Sequence, residues 1–334
     1  MCKKIIVTGG AGYIGSHTVV ELYKNGFVPI IIDNLSNTSI KNIEGLNSLL
    51  NFDVKWYNVD CADLDLMENI FKIEKKIFGC IHFAAYKSVE ESVREPEKYF
   101  KNNIGSLNTL LQCMRKYNIN NLIFSSSCTV YGMPERLPVS ESAPFGKAES
   151  PYGETKQKCE DILFKSDIKS LSLRYFNPIG SHSSYLIGDC SSDKASNLVP
   201  IITEVAIGKR KKIIVNGNDY NTHDGTCIRD YIHVEDLANA HVKSIIYLAN
   251  KKNGSYFFNV GSGSGYSVMD IIKTFEKVNN VEVNYSIGPR RKGDVEKIFS
   301  DNTKIFHNIG WEAKKNLNIA LIDSWNWELN KKNA

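Results

Sequence analysis

A tyrosine and a lysine four residues apart in this sequence could together move a proton. Tyr152 and Lys156 follow Pro151, a residue type favoured in the first turn of a helix, so both should project from one helix face. An ammonium group beside a phenol favours the phenolate, which could take a hydroxyl proton from a bound alcohol. Without further context, the same spacing is also typical of a solvated helix face.

A cluster of three serines supplies a hydroxyl for the same chemistry. Ser125, Ser126 and Ser127 end an apolar run that begins at Asn121 and has the length of a β-strand. In a sheet flanked by helices, ligands bind at the carboxyl ends of the strands. The Ser127 hydroxyl could there hydrogen-bond an alcohol or the ketone that forms from it.

A glycine loop lies near the N-terminus. Gly9, Gly10, Gly12 and Gly15 follow the strand-like run 4–8 and precede a helical pattern, and they fit both a 9/12/15 and a 10/12/15 spacing. Such a loop lets the backbone approach a ligand closely and presents the N–H groups of a helix start to a pyrophosphate. The loop therefore predicts a dinucleotide site, with a purely structural turn as the alternative.

Asp33 ends the next strand-like run and indicates which dinucleotide binds. A carboxylate there can accept hydrogen bonds from ribose hydroxyls and would repel the extra phosphate of NADP, so NAD is favoured. An aspartate that only stabilises a turn is the alternative. With NAD bound, the positive nicotinamide ring would add to Lys156, and lowering the pKa of Tyr152 to about 7 requires roughly 4 kcal/mol.

The elements that position these residues alternate along the first half of the chain. Short β-branched runs are separated by segments of helical length, which excludes hairpins and predicts a parallel sheet with helices on both faces. We expect an α/β fold with a doubly wound parallel sheet of the Rossmann type and a smaller α/β substrate-binding domain. Residues 1–177 should bind NAD and 178–334 mainly the substrate, with segments near 235–260 returning to the first domain.

Composition excludes several other classes of protein. The 41 Lys and Arg against 37 Asp and Glu leave a net charge of +4, too small to imply nucleic acid. No apolar run approaches the roughly 18 residues of a membrane span, and no signal peptide is evident. The eight cysteines, Cys2 among them, are scattered as in a reduced cytoplasmic protein, and the seven histidines form no ligand-spaced metal cluster. We expect a soluble cytoplasmic protein without a metal.

Several longer stretches resemble the extended short-chain dehydrogenase/reductase superfamily and, more narrowly, its UDP-glucose 4-epimerase branch. They span nearly the whole chain in order. The stretches are Thr8-Gly9-Gly10-Ala11-Gly12-Tyr13-Ile14-Gly15-Ser16-His17, Ile81-His82-Phe83-Ala84-Ala85-Tyr86-Lys87, Phe124-Ser125-Ser126-Ser127-Cys128-Thr129-Val130-Tyr131-Gly132, Ser150-Pro151-Tyr152-Gly153, Leu173-Arg174-Tyr175-Phe176-Asn177-Pro178, Asn216-Gly217-Asn218-Asp219-Tyr220, Arg229-Asp230-Tyr231-Ile232-His233-Val234 and Pro289-Arg290-Arg291-Lys292-Gly293-Asp294.

The resemblance implies a set of site residues. Ser127, Tyr152 and Lys156 match the catalytic group. Positions that match contacts to NAD are those three with Gly9, Gly12, Tyr13, Ile14, Gly15, Asp33, Asn34, Leu35, Ser36, Asn37, Thr38, Asp60, Cys61, Phe83, Ala84, Ala85, Tyr86, Lys87, Asn102 and Phe176. Positions that match contacts to the nucleotide-sugar are Lys87, Ser127, Tyr152, Asn177, Asn197, Leu198, Val215, Asn216, Arg229, Arg291, Asp294 and Ile298. Two arginines suit the two phosphate charges of a UDP-sugar, and surface ion pairs are the alternative.

The resemblance also implies the reaction. Tyr152 would take the proton of the sugar 4-OH while hydride passes from C4 to NAD, and hydride would return to the opposite face of the 4-keto sugar. UDP-galactose and UDP-glucose, the sugars of galactose metabolism, are the expected substrates. A homodimer through the helices 96–116 and 151–164 is implied as well.

Two positions depart from the family pattern and leave the substrate partly open. Asn216 stands where an aromatic residue is usual, and Ile298 is intermediate between the bulky residue of narrow specificity and the small residue that admits N-acetylated sugars. A UDP-GlcNAc/UDP-GalNAc 4-epimerase is therefore an alternative. A 4,6-dehydratase would need an Asp-Glu pair where Cys128-Thr129 stands, and a decarboxylase would need a carboxylate site that the sequence does not reveal.

Overall fold

The structure is a computed structural model that describes residues 3–190, 195–291 and 293–333; Cys2 and Lys292 lie outside these ranges. The strands are β1 (Lys3–Thr8), β2 (Phe27–Asp33), β3 (Trp56–Asn58), β4 (Ile77–His82), β5 (Asn121–Ser127), β6 (Lys169–Tyr175), β7 (Asn177–Ile179), β8 (Ile213–Asn216), β9 (Ile228–His233), β10 (Ser255–Val260), β11 (Gly265–Ser267), β12 (Tyr285–Gly288) and β13 (Lys297–Ile298).

The helices are α1 (Tyr13–Lys24), α2 (Lys41–Leu50), α3 (Leu64–Ile73), α4 (Val89–Arg94), α5 (Pro96–Tyr99), α6 (Gly105–Lys116), α7 (Pro151–Phe164), α8 (Leu198–Ala206), α9 (Val234–Ala249), α10 (Val268–Asn279), α11 (Thr303–Ile309) and α12 (Leu317–Asn333). A π-helical turn, Phe100–Ile104, joins α5 to α6, so the single helix predicted over 96–116 is interrupted. A 3₁₀ turn, Cys128–Tyr131, follows β5. Within the described ranges no helix is both long and apolar enough to cross a membrane.

A parallel sheet forms the centre of the fold, as predicted. In the described part of the chain its seven strands run in the order β10-β6-β5-β4-β1-β2-β3, and every neighbouring pair is parallel. Both faces are covered, since Ile5 and Val7 pack in one apolar cluster and Ile6, between them, packs in another. Side chains alternate across a strand, so an uninterrupted apolar run is what burial on both faces requires.

The strand order reverses at β1, which places a crevice between the ends of β1 and β4. In an open α/β sheet this switch point is where ligands bind. Thr8 lies beside both Ile32 and His82 in the register, so β1, β2 and β4 end at one edge of the sheet. The predicted glycine loop, Asp33 and the loop 83–87 begin at these strand ends.

Smaller sheets follow the central one in the chain. The strand β9 pairs with β7, β11 and β13, and β8 pairs with β12. A third apolar cluster, which includes Ile202 of α8 and Phe275 of α10, forms their core. The strand β10, far along the chain, lies at the edge of the seven-stranded sheet beside β6.

Candidate active site

The glycine loop connects β1 to α1 and leaves no room for a side chain at Gly9, Gly10 or Gly15. Gly9 has a φ of +69°, and a Cβ at this residue would lie 2.7 Å from the backbone nitrogen of Ala84, because β1 and β4 end side by side. A Cβ on Gly15 would lie 2.2 Å from the carbonyl oxygen of Gly9. These two glycines approach each other as the 9/12/15 spacing requires. The loop therefore brings backbone, rather than side chains, to the crevice.

The start of α1 faces the same crevice. Its N-cap is Gly12, which has no side-chain oxygen, so the amides of Tyr13 and Ile14 begin the helix without a side-chain cap. The hydroxyl of Tyr13 points away and donates to the Gly180 carbonyl at 2.5 Å. What α1 offers a ligand here is its amide groups and the positive end of its dipole, which together suit a phosphate.

Asp33 lies at the end of β2 and holds the glycine loop. One carboxylate oxygen accepts the Ala11 N–H at 3.0 Å and the other accepts the Leu35 N–H at 2.9 Å, so Asp33 also has the turn role that the sequence left open. Burial raises the pKa of Asp33, and these backbone donors act in the opposite direction. Each carboxylate oxygen has a second lone pair, which fits the hydroxyls of a ribose. Leu35 has a φ of +55°, a strained conformation found at ligand sites.

The other predicted adenosine-side residues surround Asp33. Asn34 donates to Asp60 at 3.3 Å, and its own oxygen accepts the Ser36 N–H at 3.1 Å. Thr38 donates to the Ala11 carbonyl at 3.1 Å. Asn37 is half-buried in this loop, and Cys61, next to Asp60, is buried.

Two residues that the sequence analysis missed support this region and the next one. Asn42 of α2 is fully buried and donates both to the Ala11 carbonyl, at 2.9 Å, and to the Gly188 carbonyl, at 3.1 Å. Asn103 lies in the π-helical turn, next to the predicted Asn102. Nothing in their local sequence distinguishes these two asparagines from many others, because the groups they bind are distant in the chain.

Asn103 fastens the loop 83–87, which contains Phe83, Ala84, Ala85, Tyr86 and Lys87. Its amide oxygen accepts the Tyr86 N–H at 2.8 Å, and its nitrogen donates to the Tyr86 carbonyl at 3.1 Å and to the Thr155 hydroxyl at 3.2 Å. Asn102 donates to the same amide oxygen at 3.1 Å. Because Thr155 belongs to α7, the loop and the helix that carries Tyr152 form one hydrogen-bonded unit.

The proton-handling residues come together between β5 and α7. Ser127 is the last residue of β5 and hydrogen-bonds Tyr152. The Lys156 ammonium donates to the Ser125 carbonyl at 2.6 Å and lies 5.8 Å from the centre of the Tyr152 ring. The helix α7 begins at Pro151, with the Ser150 hydroxyl accepting the Gly153 N–H at 3.2 Å, so its first turn places Tyr152 over the end of β5.

The protein's own groups do not make Tyr152 acidic. Burial raises its pKa to about 12, although the hydrogen bond with Ser127 acts in the opposite direction. Burial also lowers the pKa of Lys156, to about 8. Both shifts have one cause, since each charged form loses its water. The lowering of the Tyr152 pKa that the sequence predicts from Lys156 and a bound nicotinamide together therefore depends on the positive charge of the nicotinamide ring.

A buried ion pair anchors the helix that carries Tyr152 and Lys156. Arg174 of β6 donates to both carboxylate oxygens of Glu160, with an Nη2–Oε2 distance of 2.7 Å, and to the Tyr131 hydroxyl at 2.9 Å. The Ser126 hydroxyl donates to the same carboxylate. Arg174 thus joins β6 to α7, and Glu160 joins α7 to β5 through Ser126. This gives a structural reason for the arginine in the Leu-Arg-Tyr-Phe-Asn-Pro stretch.

The predicted phosphate-binding arginines share one carboxylate. Asp294 accepts from Arg291 at 2.6 Å and lies 3.5 Å from Arg229. These are the ion pairs that the sequence left open as an alternative. Two guanidinium groups facing one carboxylate still leave an excess positive charge, which suits a diphosphate. The positive charge of Arg229 acts against the burial that raises the pKa of the Cys128 thiol, the residue that directly follows β5.

A small apolar cluster contains Phe176 and Ile298, and Asn177 follows Phe176 in the chain. Asn177 donates to the Asp230 carbonyl at 2.9 Å, which joins β7 to β9. Ile298 is buried with Phe176 and Tyr131 in a small apolar cluster. The side chain at position 298 is therefore held by packing.

The last predicted substrate residues lie on β8 and at the start of α8. Val215 is buried, and Asn216, half-buried, ends β8. Tyr220, four residues further on, supplies a buried aromatic ring close in sequence to the position where Asn216 departs from the family. Asn197 is the exposed N-cap of α8, and Leu198 is its partly buried first residue.

The Arg-Asp-Tyr-Ile-His-Val stretch is largely structural apart from Arg229. Asp230 is fully buried and accepts from the amides and hydroxyls of both Ser262, at 2.7 and 2.6 Å, and Ser300, at 3.1 and 2.6 Å. His233 caps α9 through Nδ1 and contacts Asp323 at 3.0 Å through Nε2. These contacts hold β9, and with it Arg229, in place.

The expectation that no histidine clusters with carboxylates was wrong. His223, Asp224 and Asp270 bring their ligand atoms within 4.8 Å of one another. Asp270 lies far along the chain and reaches the other two because it forms the capping box of α10. Both aspartates already accept hydrogen bonds from Ser267, so the cluster is accounted for by helix capping.

The donors around the crevice fit NAD. The side-chain-free glycine loop and the start of α1 match a pyrophosphate, and the Asp33 carboxylate matches a ribose diol. A nicotinamide ring near Tyr152 would supply the missing positive charge. The chemistry of this donor set, rather than any one residue, carries the assignment.

Comparison with known proteins agrees with this site. The sequence model described as GDP-mannose 4,6 dehydratase matches residues 6–322. UDP-glucose 4-epimerase of Bacillus subtilis is 43% identical over 335 residues, which cover 99% of this chain and 98% of that protein. The UDP-glucose 4-epimerase of Dictyostelium discoideum is 43% identical over 330 residues, which cover 97% of this chain and 95% of that protein.

Solved structures agree as well. UDP-glucose 4-epimerase from Stenotrophomonas maltophila, with bound NAD and formylated UDP-arabinopyranose, has a TM-score of 0.95 at 39% identity, with 99% of each chain covered. The enzyme from Bifidobacterium longum, in complex with NAD+ and UDP, has a TM-score of 0.94 at 40% identity and the same coverage. The chain therefore belongs to the UDP-glucose 4-epimerase family.

Proposed function

We propose that this protein is an NAD-dependent epimerase that interconverts UDP-galactose and UDP-glucose. The observation that carries the proposal is the assembly of Ser127, Tyr152 and Lys156 at the end of β5, in the same parallel sheet as β1, which leads into the dinucleotide-type glycine loop. NAD, when bound, supplies the acceptor and donor of hydride.

The protein's own residues handle the proton and the substrate. Tyr152 takes the proton of the sugar 4-OH and later returns it, and Ser127 hydrogen-bonds the same oxygen. The Lys156 ammonium, held by the Ser125 carbonyl at 2.6 Å, favours the phenolate. Arg229 and Arg291 bind the diphosphate through charge-assisted hydrogen bonds, which leaves the hexose free to turn between the two hydride transfers.

The remaining site residues divide by the part of the ligand they meet. The glycine loop, Asp33 and its neighbours, the loop 83–87 and Phe176 bind NAD. Asn177, Asn197, Leu198, Val215, Asn216, Asp294 and Ile298 bind the nucleotide-sugar. Residues 1–177 form the NAD-binding domain, to which β10 also belongs, and 178–334 mainly form the substrate-binding domain.

Elimination is not the favoured reaction, although the family model carries a dehydratase description. A 4,6-dehydratase needs an additional acid and base, and Cys128 and Thr129 stand at those positions. Burial raises the pKa of the Cys128 thiol to about 12, so it stays neutral and exchanges protons poorly at neutral pH. The alternative N-acetylhexosamine epimerase is not favoured, because the relatives described above are UDP-glucose 4-epimerases.

The direct test follows the sugar nucleotides by NMR after the purified protein is mixed with UDP-galactose. We expect UDP-glucose to appear and the mixture to reach one ratio from either substrate. Tyr152→Phe should lower the rate by at least about 100-fold, the usual contribution of a general base, while UDP still binds. Tyr285→Phe, which changes an exposed tyrosine, is the matched control.

Two results would contradict the proposal. One is full activity in Tyr152→Phe, which would remove the phenol from the mechanism. The other is a lack of turnover of UDP-galactose by the NAD-loaded protein. Turnover of UDP-GalNAc at a comparable rate would instead show a wider sugar pocket than Ile298 suggests.

We propose a homodimer formed through residues 96–116, which include α5 and α6, and through α7, as the family resemblance implies. Phe164 at the end of α7 is 75% exposed in the single chain, which is unusual for a large apolar side chain and favours a covered face. Sedimentation at micromolar concentration should give twice the chain mass. A monomer under these conditions would contradict the proposal.

We also propose a cytoplasmic location. The seven cysteines of the described ranges are free thiols, as expected in a reducing compartment. Fractionation of cells that produce the protein tests this.

A further inference from the structure

A second cavity lies apart from the proposed active site. It is a half-open cleft with a volume of about 280 Å³, lined by α1, by the loop that follows β7, by α9 and by the residues just before α12. None of its lining residues belongs to the predicted NAD or UDP-sugar positions. One molecule of liquid water takes about 30 Å³, so the cavity is far larger than a single bridging water requires.

Two buried histidines line this cavity, and in the part of the chain that the structure describes each has one ring nitrogen without a hydrogen-bond partner. His17 is 2% and His182 is 7% exposed, and the centres of their rings are 6.4 Å apart. Within the described ranges, neither Nε2 atom has a hydrogen-bond partner. An oxygen of the Glu235 carboxylate is 3.6 Å from Nε2 of His182, which is too far for a hydrogen bond. Unsatisfied buried polar atoms are rare and call for an explanation.

The other ring nitrogens determine what each Nε2 offers. Nδ1 of His17 lies 2.7 Å from the Tyr13 carbonyl, which only accepts, so Nδ1 carries the proton and Nε2 has a free lone pair. Burial lowers the pKa of His17 to about 3, so its ring stays neutral. Nδ1 of His182 accepts the Ser184 N–H at 3.1 Å, which places the proton on Nε2. The cavity therefore presents one acceptor and one donor, the complement of a hydroxyl group.

The charges of the lining exclude a strongly charged ligand. Two ammonium groups, of Lys24 and Lys315, face two carboxylates, of Glu21 and Glu235, and Lys315 is paired with Glu235. The lining is thus formally neutral. Within the described residues, the cavity lining also contains no cluster of His, Cys, Asp and Glu side chains that could hold a metal ion. Val20 adds an apolar wall of the kind that packs on the C–H face of a polyol.

We propose that this cavity binds a neutral polyhydroxylated molecule of about monosaccharide size, with one hydroxyl bridging Nε2 of His17 and Nε2 of His182. The site is independent of the proposed reaction. Its ligand joins α1, whose first turn holds the glycine loop, to the loop that contains Gly180 and His182. Binding should therefore stabilise the folded protein by an amount that rises with the logarithm of the ligand concentration above the Kd.

The test uses the full-length protein with saturating UDP, which blocks the proposed catalytic pocket. Binding of D-glucose and myo-inositol is measured by saturation-transfer NMR and by the shift in melting temperature, with glucose 6-phosphate as a charged comparison. His182→Phe removes the donor, and Ser183→Trp places a large side chain at an exposed residue of the cavity lining. His307→Phe makes the same change at an exposed histidine and serves as the control.

We expect saturable binding of a neutral polyol by the parent protein and by His307→Phe, and binding at least about ten-fold weaker in both cavity variants. Should His182→Phe fail to fold, Ser183→Trp alone decides the question. The proposal is overturned by the absence of saturable binding, by equal binding in all variants, by displacement of the polyol by UDP, or by a preference for the phosphate ester.

Discussion

Removal of one partner of the buried pair between Arg174 and Glu160 should destabilise the protein strongly. Both side chains are nearly inaccessible, at 4% and 7%, and the guanidinium binds both carboxylate oxygens. Arg174→Met leaves the Glu160 carboxylate buried with the Ser126 hydroxyl as its remaining polar partner. Breaking such a pair typically costs about 3–5 kcal/mol, a large part of the roughly 5–15 kcal/mol that separates a folded domain from its unfolded state.

The chain offers a matched control. Arg115 and Asp167 make an ion pair at the same distance, 2.7 Å, but are 47% and 70% exposed. Water screens exposed pairs, so Arg115→Met should cost at most about 1 kcal/mol. The double variant Arg174→Met/Glu160→Leu removes both charges, and it should recover most of the stability lost by either single variant.

The free energy of unfolding is measured by urea titration of the parent and the four variants, with circular dichroism and tryptophan fluorescence as independent probes. The epimerase activity of folded Arg174→Met and Glu160→Leu should also fall, because Glu160 lies one turn beyond Lys156 on α7. An Arg174→Met variant no less stable than Arg115→Met would refute the reasoning. So would a double variant whose loss equals the sum of the two singles.

Three further results are expected. Burial lowers the pKa of Lys156 from 10.5 to about 8. Below pH 8 the folded state therefore carries a buried charge, and between pH 8 and pH 10.5 the unfolded state binds more protons than the folded state. The stability of the parent relative to Lys156→Met should therefore rise by about 2 kcal/mol between pH 7 and pH 9.5 in urea titrations, and a flat difference would show a solvated amine. Asn103→Leu frees the Tyr86 backbone and should weaken NAD binding at least about ten-fold in fluorescence titrations, whereas Thr155→Ser keeps its hydroxyl and should not. Gly15→Ala places a Cβ against the Gly9 carbonyl and should abolish NAD binding, whereas Gly105→Ala, with open space around it, should leave binding unchanged; equal binding by both would exclude the close approach.

The fold class could be predicted because its signals are local. The uninterrupted apolar runs of β1 and β2 require burial on both faces, and the helical segments between the strands prevent hairpins, which leaves a parallel sheet. The strand ends where ligands bind then follow from the topology. The interruption of the predicted helix 96–116 was missed, since the π-helical turn depends on the contacts of Asn103 with Tyr86 and Thr155.

In the candidate site, the local spacing of residues was predictable from the sequence, but their solvation and their distant partners were not. Spacing alone indicates that Tyr152 and Lys156 share a face, but it carries no information on solvation. Burial decides that the pKa of Tyr152 is raised to about 12 in the protein itself, which is opposite to the direction expected from the neighbouring lysine. The supporting roles of Asn42 and Asn103 were not predictable, because their partners are brought to them by other elements.

The sequence by itself determined the chemistry that this protein can perform, through the types and spacings of the glycines, Asp33, Ser127, Tyr152 and Lys156. These features act over a few residues, so a helix or a turn suffices to express them. The tertiary structure alone decided the electrostatic environment, the pairing of Arg174 with Glu160 and the cavity between His17 and His182. Burial and hydrogen-bond partners are properties of segments far apart in the chain, and they exist only once those segments have packed.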